Sequence, residues 1–60
     1  ILQDLFSLPE KYKMVMILHY LEDLSVQDIA RSQDLSPSAV KMRLARGREM
    51  LKNLTEGRDL

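Results

Sequence analysis

Cysteine is absent from the 60 residues, and histidine occurs once. Neither a disulfide framework nor a thiolate metal site can therefore supplement the core, and a lone imidazole makes no zinc site. Long apolar runs are also missing. The longest, Met14 to Leu18, falls far short of the roughly 20 residues a membrane-spanning helix needs. No stretch carries the pattern of a secretory leader, and an opening at Ile1 rather than methionine leads us to expect a domain cut from a longer protein. No nucleophile–base pair, metal-ligand cluster or glycine-rich phosphate loop can be picked out, so no catalytic residue, metal, cofactor or small-molecule substrate is expected, and the chain does not read as an enzyme. Its length suits one small domain of marginal stability.

An excess of either charge is missing as well: nine basic residues balance nine acidic ones. A net charge of zero at first argues against nucleic acid, but the distribution matters more than the sum. Residues 1–40 hold six acids and three bases, whereas residues 41–60 hold six bases and three acids. One basic helix on a neutral domain predicts weak DNA binding when the domain acts alone, because phosphate neutralisation supplies most non-specific affinity. The alternative is that these charges merely solubilise a surface helix.

What is present is helical periodicity, punctuated by two prolines and two glycines. Leu2, Leu5 and Phe6 stand at helical spacing, which predicts a first helix over about residues 1–6. Ser7-Leu8-Pro9 breaks it, and Pro9 with Glu10 suits the start of a second helix over about residues 10–22. That helix carries one apolar stripe of Met14, Ile17, Leu18 and Leu21 and another of Tyr12, Met16 and Tyr20. A helix apolar on two sides is normally sandwiched. The second stripe should then pack on the first helix through Leu5 and Phe6; the other reading makes these five residues a docking surface for a partner.

Ser25 and Asp28 form a capping box, with aspartate in place of the preferred glutamate. They predict a third helix over about residues 26–33, with Ile29 and Ala30 inward. Asp34 suits a left-handed turn, and Leu35 should plug the corner. Ser36-Pro37 supplies a second strong start for a fourth helix over about residues 37–54. Its inner face holds Val40, Leu44, Leu51 and Leu54, and Gly57 should end the pattern, leaving Arg58-Asp59-Leu60 frayed. Projected at about 100° per residue, the outer face holds Ser38, Lys41, Met42, Ala45, Arg46 and Glu49. The fold class is therefore all-α: a small four-helix domain with a helix-turn-helix and no wing.

In order, these features resemble the C-terminal promoter-recognition domain, region 4, of bacterial sigma factors, and most of all the extracytoplasmic-function group. The resemblance rests on Leu8-Pro9-Glu10, the acidic bend before Leu24-Ser25, Ile29-Ala30, and the Val-Lys-x-Arg-Leu-x-Arg-Gly-Arg-x-x-Leu run from Val40 to Leu51. It covers about Leu2 to Leu54. Three positions depart from the pattern. Gln33 stands where an aliphatic residue is usual, Asp34 replaces the commoner glycine, and Met42 replaces a residue that is often small and polar. His19 stands where arginine is frequent.

The resemblance implies that the fourth helix enters the major groove of the minus-35 promoter element. Arg46 is then the best candidate for bidentate readout of guanine, and Lys41 reaches a base or a phosphate. Met42 and Ala45 offer apolar contact, for instance to thymine methyls. Ser36 and Ser38 lie at the helix N-terminus, where phosphate is favoured. Arg31, Arg43 and Arg48 are either phosphate contacts or partners in internal ion pairs. The implied partners are promoter double-stranded DNA, the flap of core RNA polymerase and an anti-sigma factor, all cytoplasmic, with no membrane. Leu5, Phe6, Tyr12, Met16 and Tyr20 form the candidate docking surface. Two alternatives stay open: a LuxR-type response-regulator DNA-binding domain, and a sigma-like interaction module bound mainly by an anti-sigma factor.

Overall fold

The computed structural model describes residues 2–58. Four helices follow in order: α1 (Leu2–Phe6), α2 (Glu10–Met16), α3 (Val26–Gln33) and α4 (Pro37–Arg58). A π-helical segment, Ile17–Leu21, continues α2. No strand occurs among the described residues, so the domain is all-α, with α3, a tight turn and α4 forming the helix-turn-helix. Ile1, Asp59 and Leu60, which the sequence assigns to the first helix and a frayed tail, lie outside the described residues.

Local chemistry explains most of the boundaries. Ser25 Oγ accepts the Asp28 backbone N–H (3.1 Å) and Ser36 Oγ accepts that of Ala39 (3.1 Å), so both helices of the motif open on a serine cap. Asp34 closes α3 in the left-handed conformation, at φ 57°. The Leu35 N–H then reaches back to the Ala30 carbonyl (2.8 Å) and that of Asp34 to Arg31 (3.4 Å). This is a Schellman closure, and it satisfies carbonyls that the helix end would otherwise orphan. Leu35 packs half-buried against the core beneath it.

Two boundaries differ from the sequence reading. The second helix does not run as one α-helix to residue 22. At Ile17 its hydrogen bonding lengthens, with the Glu22 N–H reaching the Ile17 carbonyl (3.1 Å) five residues back. The wider turn changes which side chains face inward. Val15 and Met16 are buried, Met14, Ile17 and Leu18 are half-buried, and Leu21 is exposed. The His19 imidazole fixes the end of this segment. Its Nδ1 lies 2.9 Å from the Leu24 carbonyl, which can only accept, so Nδ1 carries the proton and donates. The fourth helix, in turn, does not stop before Gly57 but continues to Arg58. Gly57 has no positive φ and so does not form the left-handed stop that a glycine often supplies.

The core gathers Leu5 and Leu8 from the N-terminal end, Val15 and Met16 from α2, Ile29 and Ala30 from α3, and Val40 and Leu44 from α4. Val15, Ile29 and Val40 are fully enclosed, each burial contributing about 1.5–3 kcal/mol. Leu51 is half-buried and Leu54 exposed, because the far end of α4 extends past the other helices in a body 39 Å long and 16 Å across. Gly47 lets α2 approach α4. A Cβ there would meet Met16 Cγ at 2.9 Å and Sδ at 3.0 Å. Gln33 resolves the missing aliphatic residue by lying exposed, its amide donating to Ser32 Oγ (3.3 Å).

Candidate nucleic-acid interface

The N-terminal half of α4 is braced from behind and open in front. Val40 and Leu44 anchor it in the core, and the outer face exposes Ser38, Lys41, Met42, Ala45 and Arg46 together. Ser36 is exposed too, but its hydroxyl already caps the helix through the Ala39 N–H. Met42 is 58% exposed, more than any other large apolar side chain among the described residues.

The three remaining arginines part ways. Arg31 pairs with Asp28 at 2.6 Å on the outside of α3. The guanidinium of Arg31 and, after it, the Ser25 hydroxyl hold the Asp28 carboxyl below its ordinary value of 3.8. Arg48 donates from Nη1 to the Tyr20 hydroxyl (3.1 Å), tying α4 to the π segment. Arg43, half-buried, instead lines an open groove between α2 and α4 with Arg46, Met42, Ala39, Lys11 and Tyr12. Lys11 Nζ lies 5.2 Å from the centre of the Tyr12 ring. Among the described residues, Lys11, Lys41, Arg43 and Arg46 have no ion-pair partner. Four cations thus stand on or beside the outer face of α4 without internal neutralisation. Such a surface attracts a polyanion.

Lys11 is the residue that the sequence reading missed. It is remote in sequence from the basic helix, and only the packing of α2 across α4 brings it to the groove. Gly47, a glycine inside a helical pattern, is the sequence signal of a close helix approach that could have placed α2 against α4.

The five residues expected to form one docking surface do not lie together on the outside. Leu5 and Met16 are buried in the core, because α2 is sandwiched between α1 and α4. Tyr12 is half-buried in the groove with Lys11 and Arg46. Phe6 (54%) and Tyr20 (49%) are the two that remain exposed. A second, mainly apolar groove is lined by Leu5, Met16, Tyr20, Arg48 and Leu51. His19 meets the Tyr20 ring edge-on, with centroids 4.8 Å apart, so the imidazole serves the π segment rather than the basic groove. No three histidine, aspartate or glutamate side chains gather into a metal-holding group among the described residues. No helix there is long and apolar enough to cross a membrane.

Comparison with known proteins accords with this geometry. Residues 5–51 match the family described as Sigma-70, region 4. The chain is 38% identical over 50 residues to the ECF RNA polymerase sigma factor SigW of Bacillus subtilis, covering 83% of the chain and 27% of that protein. It is 38% identical over 53 residues to the ECF RNA polymerase sigma-E factor of Haemophilus influenzae, covering 88% of the chain and 28% of that protein. The chain thus spans little more than a quarter of these relatives' length. No solved structure matches it significantly. The family match selects against the LuxR-type alternative, and, together with the four helices and the serine-capped helix-turn-helix, it means that the chain belongs to the Sigma-70 region 4 family, as the region 4 domain of an extracytoplasmic-function sigma factor.

Proposed function

We propose that this domain reads the minus-35 element of a promoter with the outer face of α4 while docked on core RNA polymerase, in the cytoplasm, by binding rather than by catalysis. The observation that carries the reading is the set of cations left unpaired along one face of a helix whose opposite face is locked in the core. Arg46 contributes bidentate hydrogen bonds to a guanine edge. Lys41, Arg43 and Lys11 meet phosphates, and Ser38 adds a hydroxyl at the helix N-terminus, where backbone N–H groups favour an anion. Arg31 and Arg48 keep their internal partners and act as braces. For the polymerase flap, or for an anti-sigma factor competing with it, the surface best suited is the apolar groove beside Tyr20 together with exposed Phe6.

Selection of bound duplexes from a randomised double-stranded DNA pool at low salt tests the reading. One short enriched motif is expected. Arg46→Ala should relax preference at one guanine and cost about 1–3 kcal/mol there. An enriched motif indifferent to Arg46, or no enrichment, would refute the assignment of α4 as the reading helix.

A further inference from the structure

The four methionines of this chain differ sharply in their access to solvent. Met16 is enclosed beneath Gly47 at 2% exposure, and Met14 and Met50 are half-buried, whereas Met42 exposes 58% of its surface. Met42 also lines the groove that holds Lys11, Arg43 and Arg46. We propose that Met42 is a site of reversible oxidation by hydroperoxides, and that its sulfoxide ties up the neighbouring guanidinium groups and so releases the domain from DNA. The consequence rests on the DNA-binding reading above; the site of modification does not.

The chain has no cysteine, so no thiolate competes for a peroxide, and the thioethers are its most readily oxidised side chains. The Met42 sulfur lone pair attacks one oxygen of hydrogen peroxide. The S–O bond forms as the O–O bond breaks, and the departing hydroxide takes the proton left on the transferred oxygen. Sulfoxide and water result: sulfur loses two electrons and the peroxide gains them. An enclosed sulfur such as that of Met16 meets the oxidant only when the core opens, which makes it slow to react.

The surroundings of Met42 turn this reaction into a switch. A thioether accepts hydrogen bonds only weakly, whereas a sulfoxide oxygen carries substantial negative charge and accepts strongly. Met42 and Arg46 stand one helical turn apart, the spacing at which side chains on a helix surface meet, and Arg43 opens on the same groove. Among the described residues, neither guanidinium has an ion-pair partner. Oxidation therefore creates a strong acceptor amid charged donors. A guanidinium held by the sulfoxide is no longer free to meet a DNA anion, and the sulfoxide oxygen turns its negative end toward whatever anion enters the groove. The side chain also becomes polar, so any apolar contact it makes is lost. Methionine sulfoxide reductases return the thioether, one enzyme for each sulfur epimer, so the change is reversible.

Limited treatment of the full chain with hydrogen peroxide, followed by peptide mass mapping, shows which methionine gains an oxygen. Met42 should be modified before the other three. The singly oxidised chain should bind a duplex from the selected pool about tenfold more weakly than the untreated chain, the value of one hydrogen bond to a charged group. Treatment with both sulfoxide reductases should restore the affinity. Met42→Leu keeps a similar apolar volume and has no sulfur, so its affinity should be the same before and after peroxide. Helical circular dichroism, recorded in parallel, should be equal for the oxidised and untreated chains; a loss of helix would mean that binding fails through unfolding and would overturn the switch. Oxidation of Met14, Met16 or Met50 as fast as Met42 would overturn the site. Full affinity in the singly oxidised chain, or an equal loss in peroxide-treated Met42→Leu, would overturn the switch while leaving DNA binding intact. If the untreated chain enriches no DNA, the DNA-binding reading fails and the switch falls with it, and the mass map alone decides the site.

Discussion

Asp34 shows how much one residue can carry in this fold. Its left-handed backbone, φ 57° and ψ 46°, turns the chain from α3 into the segment that presents α4. Aspartate tolerates that conformation because its short polar side chain can bond locally, whereas alanine has a Cβ clash and no such compensation. Asp34→Ala is therefore expected to lower stability by about 1 kcal/mol, and Asp34→Gly to match or exceed the parent. Urea denaturation of both variants checks this; an alanine variant as stable as the parent would mean that the turn relaxes out of the left-handed region at no cost. The role of Asp34 was legible in the sequence because it stands between a helical pattern and a serine–proline start. Asp23 also has a positive φ, 62°. It follows the Glu22 cap of the π segment, so the end expected at about residue 22, before the acidic bend, agrees with the structure; what the sequence does not mark is the change to π geometry at Ile17.

Between elements, the decisive contact is Gly47 of α4 under Met16 of α2. Two effects oppose each other there. Alanine at position 47 gains about 1 kcal/mol of helix propensity over glycine, but its methyl would press on a buried side chain at Cγ and Sδ, and overpacking costs about 1–3 kcal/mol. Since Met16 is 2% exposed and enclosed by the core, the second effect should win. Gly47→Ala is expected to lose about 1 kcal/mol in a thermal melt, and a gain of similar size would show that Met16 simply swings aside. This interface also marks where periodicity misleads. Uniform α-helical turns put Met14, Ile17, Leu18 and Leu21 on one apolar stripe and Tyr12, Met16 and Tyr20 on another. Met16 lies in the core, as the packing of its stripe on the first helix requires, and Val15, which belongs to neither stripe, joins it; the π segment widens the turn after Met16, leaving Ile17 and Leu18 half-buried and Leu21 facing outward. The third helix and the start of the fourth, whose caps are written in serine, proline and aspartate, match the structure to the residue.

Across the whole molecule, zero net charge conceals a division of labour. Bases concentrate after residue 40 and acids before it, yet folding also brings Lys11, from the acidic portion, to the groove that Arg43 and Arg46 line. This long-range juxtaposition separates a basic helix that happens to be soluble from a shaped cationic surface, and it has a measurable signature. Each phosphate neutralised by the protein contributes about −0.9 to the slope of log K against log salt. If α2 takes part in DNA binding, Lys11→Ala should make that slope shallower by about 0.9, as Arg43→Ala should. Lys52→Ala should leave it unchanged, because Lys52 lies beyond exposed Glu49 on α4, where an acid repels the phosphate backbone. Binding titrations of the three variants on one duplex over a range of salt concentrations give the slopes directly. Equal slopes for Lys11→Ala and the parent would confine the interface to α4. A loss at Lys52 as large as that at Lys11 would mean that the cations act through the overall field of the domain and not through contacts made in the groove.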